Sequence, residues 1–144
     1  MKKLIAALFM AGALALTGCQ ADKMTSSASK KRLVDNGYTV EVYAEAEAKV
    51  RIEGLNYEGV TFTDALFAEK GAGENKDLLV AFYFANMDAA ESFISKNSHE
   101  NLTILNHYGE VNLGEKLEKK VGQHNNVAYV GSTTSFAAAF DSDF

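Results

Sequence analysis

The sequence predicts an α+β domain in which helices cover one face of a mainly antiparallel sheet. Three patterns in its 144 residues carry this prediction. Apolar and polar residues alternate in some segments, apolar residues recur at helical spacing in others, and a glycine-containing turn separates two apolar runs. The resulting order is strand, helix, hairpin, helix and strand, followed by one more strand and helix.

The first strand and the first helix are predicted within residues 36–55. Asn36 and Gly37 form a turn signal, and residues 38–43 then place Tyr, Val and Val on one face and Thr, Glu and Tyr on the other. Residues 45–55 carry apolar side chains at helical spacing. Acidic residues precede basic residues by four positions, which favours a solvated helix face. The two pairs are Glu45–Lys49 and Glu47–Arg51.

A β-hairpin is predicted within residues 60–85. Its first strand, residues 60–69, begins with Val60 and Phe62 alternating with threonines, and its second strand, residues 78–85, is continuously apolar. An unbroken apolar run is typical of a central strand that is buried on both faces. Asp64 falls on the apolar face of the first strand, so we expect a β-bulge near Ala65.

The rest of the chain is predicted to add two helices and two strands. Asp88 and Glu91 form a helix-start signal, and Ser132 or Thr133 caps the last helix. The predicted segments are a helix over 88–97, strands over 102–108 and 126–130, and an ambiguous stretch over 111–121 with one helical turn around Leu117. The whole order is that of a ferredoxin-like (βαββαβ) sandwich with an extra C-terminal strand and helix.

The chain begins with the layout of a secretory signal peptide. Lys2 and Lys3 precede an almost unbroken apolar run over residues 4–16. A helix of that length spans about 20 Å, whereas the hydrocarbon core of a bilayer is about 30 Å thick. The run is therefore too short for a good permanent membrane helix, and it predicts export.

The end of this signal has a distinctive composition. Leu16, Thr17 and Gly18 stand directly before Cys19, the only cysteine in the chain. This arrangement resembles the lipobox of bacterial lipoproteins, and the resemblance covers the first 19 residues only. It implies that the chain is cut before Cys19 and that the thiol carries diacylglycerol, anchoring the protein in the cell membrane or outer membrane on the extracytoplasmic side. The alternative is an incidental thiol in a signal helix.

Charge divides the remaining chain into two parts. Residues 1–18 form the predicted signal peptide, residues 19–32 a lipidated flexible linker, and residues 33–144 a single small domain. The linker has four basic residues and one acidic residue, and the domain has 8 basic and 18 acidic residues, a formal charge of −10. This acidity argues against nucleic acid, because phosphate binding needs clustered Lys and Arg. It favours a cationic ligand or an envelope protein as partner.

Residues with catalytic or metal-binding chemistry form no established pattern. His99, His107 and His124 are 8 and 17 positions apart, which fits no zinc site, so no metal and no cofactor are expected. Ser132 precedes a predicted helix but lacks the flanking glycine of a nucleophile elbow. The weak candidate site consists of Asp64, His107 and Ser132.

The sequence favours a non-catalytic domain that is tethered to a membrane and binds a protein, a peptide or a small solute. Enzyme activity stays open, because a small envelope hydrolase could use carboxylates such as Asp64 and Glu69. A hydrolase predicts a deep pocket with two converging carboxylates. A third hypothesis, an accessory subunit of a transport or secretion complex, predicts an exposed apolar patch.

Overall fold

The structure is a computed structural model that describes residues 23–71, 76–97, 103–106, 109–112 and 120–140. The predicted signal peptide, the lipobox, Cys19, His99, His107 and Leu117 lie outside the described residues. The elements of the described part are α1 (Ser26–Asp35), β1 (Thr39–Ala44), α2 (Glu45–Arg51), β2 (Ile52–Glu53), β3 (Asp64–Lys70), β4 (Asp77–Tyr83), α3 (Met87–Lys96), β5 (Thr103–Asn106), β6 (Gly109–Asn112), β7 (Lys120–His124), β8 (Val127–Gly131) and α4 (Thr133–Phe140).

Five strands form an antiparallel main sheet in the order β1-β3-β4-β8-β7, and β2, β5 and β6 form a smaller antiparallel sheet. The α+β class and the β3–β4 hairpin are confirmed. The ferredoxin-like order is not confirmed, because the strand predicted at 102–108 pairs with β2 instead of joining the main sheet. The place beside β4 belongs to β8, and burial of all five β8 residues stabilises that pairing.

Helices cover both faces of the main sheet, so the prediction of helices on one face only is wrong. One face packs against α2 and α3, and the opposite face packs against α1 and α4. Successive residues of a strand point to opposite faces, and most residues of β3 and β4 are apolar. For example, Phe67 lies under the first pair of helices and Leu66 under the second. A single layer of helices would leave one apolar face in water.

The prediction that residues 19–32 form a flexible linker is wrong from Ser26 onward, because the chain from this residue forms α1. Thr25 caps the helix by accepting a backbone hydrogen bond at 3.2 Å. Leu33 is fully buried, and the other buried residues of α1 are Ser26 and Ser29. Small serines therefore face the sheet where apolar residues would be expected, which hides the amphipathic pattern in the sequence.

Asn126 fastens the chain in front of α1 to the domain. Its buried side chain accepts a hydrogen bond from the N–H of Met24 at 2.6 Å and donates to the carbonyl of the same residue at 3.0 Å. It also donates to the carbonyl of Phe84 at 2.9 Å. The folded domain therefore extends back at least to Met24, and the boundary predicted at Leu33 is too late.

The expected bulge at the start of the hairpin does not occur. The β3–β4 ladder is continuous from Asp64, which pairs with Tyr83, to the opposite end of the hairpin. Val60 and Phe62 pack under α2 and α3, whereas Asp64 faces α1. The chain changes face in the irregular segment before the strand, so the pleat of β3 stays regular.

The helix predicted over residues 45–55 is shorter in the structure, because α2 ends at Arg51 and Ile52 begins β2. The predicted starts of the last two helices hold with small shifts. Asn86 caps α3, so the start predicted at Asp88 is two residues late. Ser132 caps α4 as predicted, since its Oγ accepts the N–H of Ser135 at 3.0 Å. Both predicted ion pairs of α2 form, Glu45–Lys49 at 3.7 Å and Glu47–Arg51 at 2.7 Å.

Candidate functional site

The described residues of the predicted weak site do not come together. Asp64 pairs with Tyr83 at the end of β4, whereas Ser132 follows β8 beside the beginning of β4. The length of β4 separates them, which is about 20 Å at about 3.3 Å per residue. The third member, His107, lies outside the described residues.

The two carboxylates considered for hydrolysis point to opposite faces of β3. Asp64 accepts a hydrogen bond from Ser26 of α1 at 2.6 Å. Glu69 pairs with Lys76 at 3.3 Å. An odd number of steps along a strand places two side chains on opposite faces, so these carboxylates cannot converge on one substrate.

Ser132 belongs to a hydrogen-bonded network at the beginning of β4. Its hydroxyl donates to Oδ1 of Asp77, and Oδ2 of Asp77 accepts from the hydroxyl of Tyr38. Burial and then the hydrogen bond to Asp77 raise the pKa of Tyr38, which keeps this donor protonated. None of the described partners of Ser132 is a histidine or a lysine that could serve as a base. The network holds α4, β4 and the chain after α1 together.

An open groove of about 590 Å³ lies between α1 and α4, and we call it the α1–α4 groove. Its basic side chains are Arg32, in the last turn of α1, and Lys70, at the end of β3. The remaining lining residues supply polar groups and a small apolar surface; they are Asn36, Tyr38, Thr134, Ala137 and Ala138. This size suits a small solute or one group of a larger ligand.

The turn after α1 positions the basic groups of the groove. Gly37 adopts a left-handed φ of +88°, and the N–H groups of Gly37 and Tyr38 donate to carbonyls in the last turn of α1, both at 2.9 Å. This is a Schellman motif, in which glycine avoids the strain of a left-handed residue. Lys70 Nζ donates to the carbonyl of Asn36 at 2.8 Å and lies 5.5 Å from the centre of the Tyr38 ring.

Sequence reasoning missed both basic residues of the groove. Arg32 falls in the predicted flexible linker, and Lys70 falls between the two predicted strands of the hairpin. The turn signal at Asn36 and Gly37 could have indicated the groove, because a glycine directly after a basic segment is typical of a helix C-terminus.

A second groove of about 430 Å³ lies on the other side of Arg32, and Lys23 and His124 help to line it. The His124 ring stacks on Phe140, with 5.2 Å between ring centres, and meets Phe136 edge-on at 5.3 Å. Burial lowers the pKa of His124 from 6.5. His124 is therefore mainly neutral at pH 7 and adds little positive charge to this groove.

Metal binding, membrane insertion and a protein interface would each leave a distinct feature in the described ranges. No group of three His, Cys, Asp or Glu side chains there is placed to hold a metal ion. None of the described helices is long and apolar enough to cross a membrane. The strongly exposed large apolar side chains in this part of the chain are Val34, Val50 and Met87, one each on α1, α2 and α3.

Comparison of the chain with protein-family models, curated proteins and solved structures finds no match. The residues of this chain are therefore the basis on which a function is proposed.

Proposed function

We propose that this protein is a lipoprotein of the bacterial cell envelope, anchored through Cys19, whose α+β domain binds a ligand without transforming it. The lipobox supports the anchor. The observation that carries the binding role is the open, basic α1–α4 groove, in a domain where the candidate catalytic groups Asp64 and Ser132 are engaged in contacts that hold the fold.

The use of the polar groups supports binding over catalysis. Asp64 is bonded to α1, and Asp77 and Ser132 are bonded to each other at the start of α4. A hydrolase needs a nucleophile and a base, or two carboxylates, in one accessible cleft. The α1–α4 groove is instead lined by two cations and neutral groups, which suit recognition.

The docked N-terminal segment indicates how the domain stands on the membrane. Three residues separate Cys19 from Lys23 in the sequence, and four steps of extended chain reach at most about 14 Å. Asn126 holds the next residue, Met24, on the domain. The end of the domain that carries Met24 therefore faces the bilayer, in place of the longer flexible linker expected from the sequence.

Metabolic labelling with a palmitate analogue tests the anchor. The unmodified protein is expected to incorporate the label and to sediment with membranes, and Cys19→Ala is expected to lose the label because its side chain offers no thiol. Ser27→Ala is the matched control, since Ser27 is exposed on α1 and lies outside the lipobox. Equal labelling of Cys19→Ala and the unmodified protein would contradict the proposed anchor.

A further inference from the structure

We propose that the α1–α4 groove binds an oxyanion group, a carboxylate or a phosphate, of a small soluble ligand. Arg32 and Lys70 hold the anion. This inference rests on the proposed binding function and names its ligand class. It reverses the expectation of a cationic ligand that the net charge of the domain suggests.

Both groove cations lack an acidic partner among the described residues, although acids outnumber bases 18 to 11 over residues 24–144. Asp77 is the strand partner of Lys70, but its carboxylate accepts hydrogen bonds from Tyr38 and Ser132. Other basic residues of the described part do form carboxylate pairs, which are Lys31–Asp35, Lys49–Glu45, Arg51–Glu47 and Lys76–Glu69. The described lining of the groove therefore carries two positive charges and no carboxylate.

Arg32 presents a planar set of donors at the groove. Its Nη1 donates to the carbonyl of Ala139 at 3.4 Å, a long contact that orients the side chain against α4. A guanidinium has five N–H donors, and no other described group accepts from those of Arg32. The planar fork matches two oxygens of a carboxylate or a phosphate, so Arg32 is suited to bind the anion through two hydrogen bonds.

Lys70 is held in place before any ligand arrives. One of its three ammonium N–H groups donates to the carbonyl of Asn36 at 2.8 Å, and the Tyr38 ring packs beneath it. Two N–H groups stay available for an anion. Because the side chain is already restrained, binding loses less conformational entropy than it would with a free surface lysine.

The opposite wall of the groove is compatible with an anion that carries an apolar part. Thr134 lies in the first turn of α4, where the helix dipole is positive. Ala137 and Ala138 are small and leave room beside it. A ligand can therefore place its oxyanion between Arg32 and Lys70 and its carbon skeleton along the alanines.

The position of Lys70, one of the two groove cations, favours a soluble ligand over a head group of the anchoring membrane. Lys70 ends β3, whereas Asp64 begins it and contacts Ser26, two residues after Met24. The length of β3, about 20 Å, therefore separates Lys70 from the end of the domain that faces the bilayer. Phosphate of a solute and phosphate of a lipid share the same chemistry, so the experiment needs an arm for each.

Isothermal titration calorimetry of the mature lipidated protein in nonionic detergent tests the inference, with inorganic phosphate and acetate as probes at constant ionic strength. The unmodified protein is expected to bind phosphate or acetate saturably. Arg32→Gln and Lys70→Gln are each expected to weaken binding about tenfold or more. Lys96→Gln is the matched control, because it removes an exposed lysine at the end of α3 and is expected to change affinity less than twofold.

Several results would overturn the inference. One is the absence of saturable binding for both phosphate and acetate. Another is equal weakening by Arg32→Gln, Lys70→Gln and Lys96→Gln, which would indicate a general charge effect. Arg32→Lys guards against a folding defect, since it keeps the charge and loses the fork, and its affinity should lie between those of the unmodified protein and Arg32→Gln. The unfolding midpoint of each variant, measured in the same detergent, checks that the fold is retained.

A second arm separates the two sources of phosphate. The lipidated protein is placed in phosphatidylcholine vesicles with or without phosphatidylglycerol, and phosphate is titrated again. Unchanged affinity supports a soluble ligand, whereas loss of phosphate binding in anionic vesicles assigns the groove to a lipid head group and overturns the proposal. Palmitate labelling at Cys19 is measured independently, so failure of the anchor and failure of the ligand class give different results.

Discussion

Replacing Leu33 by alanine tests whether α1 is an integral part of the domain. Leu33 is fully buried among the apolar residues between the main sheet and α4. The other buried residues of α1 are serines, so no second apolar side chain of this helix reaches the same depth. The truncation therefore removes the main apolar contact that docks the helix.

The expected cost follows from the burial of this side chain. Leucine-to-alanine changes at fully buried sites cost about 2–5 kcal/mol, because transfer free energy is lost and a cavity is left. We expect about 3 kcal/mol here, which is a large share of a domain stability of about 5–15 kcal/mol. At about 4 °C per kcal/mol for a domain of this size, the unfolding midpoint should fall by about 12 °C.

Thermal unfolding followed by circular dichroism measures this change in the mature protein. The control is Val34→Ala in the same helix, where the side chain is 51% exposed and the expected loss of stability is below about 0.5 kcal/mol. Equal midpoints for the two variants would refute the argument, because they would mean that α1 contributes nothing to the folded domain.

Three further predictions concern the opposite ends of the main sheet. Asn126→Ala should lower the free energy of unfolding by about 2–3 kcal/mol in urea titrations, since it leaves backbone groups of Met24 and Phe84 unpaired. It should also speed proteolysis near Met24, and an unchanged cleavage rate would contradict the role of Asn126 in fastening this segment. Burial lowers the pKa of His124, so the unfolded chain takes up its proton first as pH falls below 6.5. The unmodified protein should therefore lose stability relative to His124→Gln between pH 7.5 and the folded-state pKa, and parallel pH profiles would exclude this contribution. Gly131→Ala should cost about 1–3 kcal/mol of unfolding free energy, because an added Cβ would lie 2.7 Å from Leu79 Cδ1 and 3.0 Å from a backbone oxygen; an unchanged urea midpoint would argue against such tight packing.

The predictions that the structure confirms depend on residues close together in the chain. The β3–β4 hairpin, the ion pairs of α2 and the cap at Ser132 each involve partners joined by a turn or lying within four positions. Such contacts form through local geometry, so sequence spacing is enough to predict them. The proposed lipid anchor also depends on sequence alone, since its signal consists of adjacent residues ending at Cys19.

Only the tertiary structure decided which faces of the main sheet the helices cover and where the α1–α4 groove lies. Small serines can face a sheet or face water, and Ser29 is buried because α1 docks on a sheet assembled from distant strands. Arg32 and Lys70 line the same groove because α1 and β3 pack together, which no spacing along the chain expresses. Burial and charge pairing depend on every neighbour in space. A groove lined by two cations can therefore form in an acidic domain when the nearby carboxylate, here Asp77, is directed to Tyr38 and Ser132 and does not line the groove.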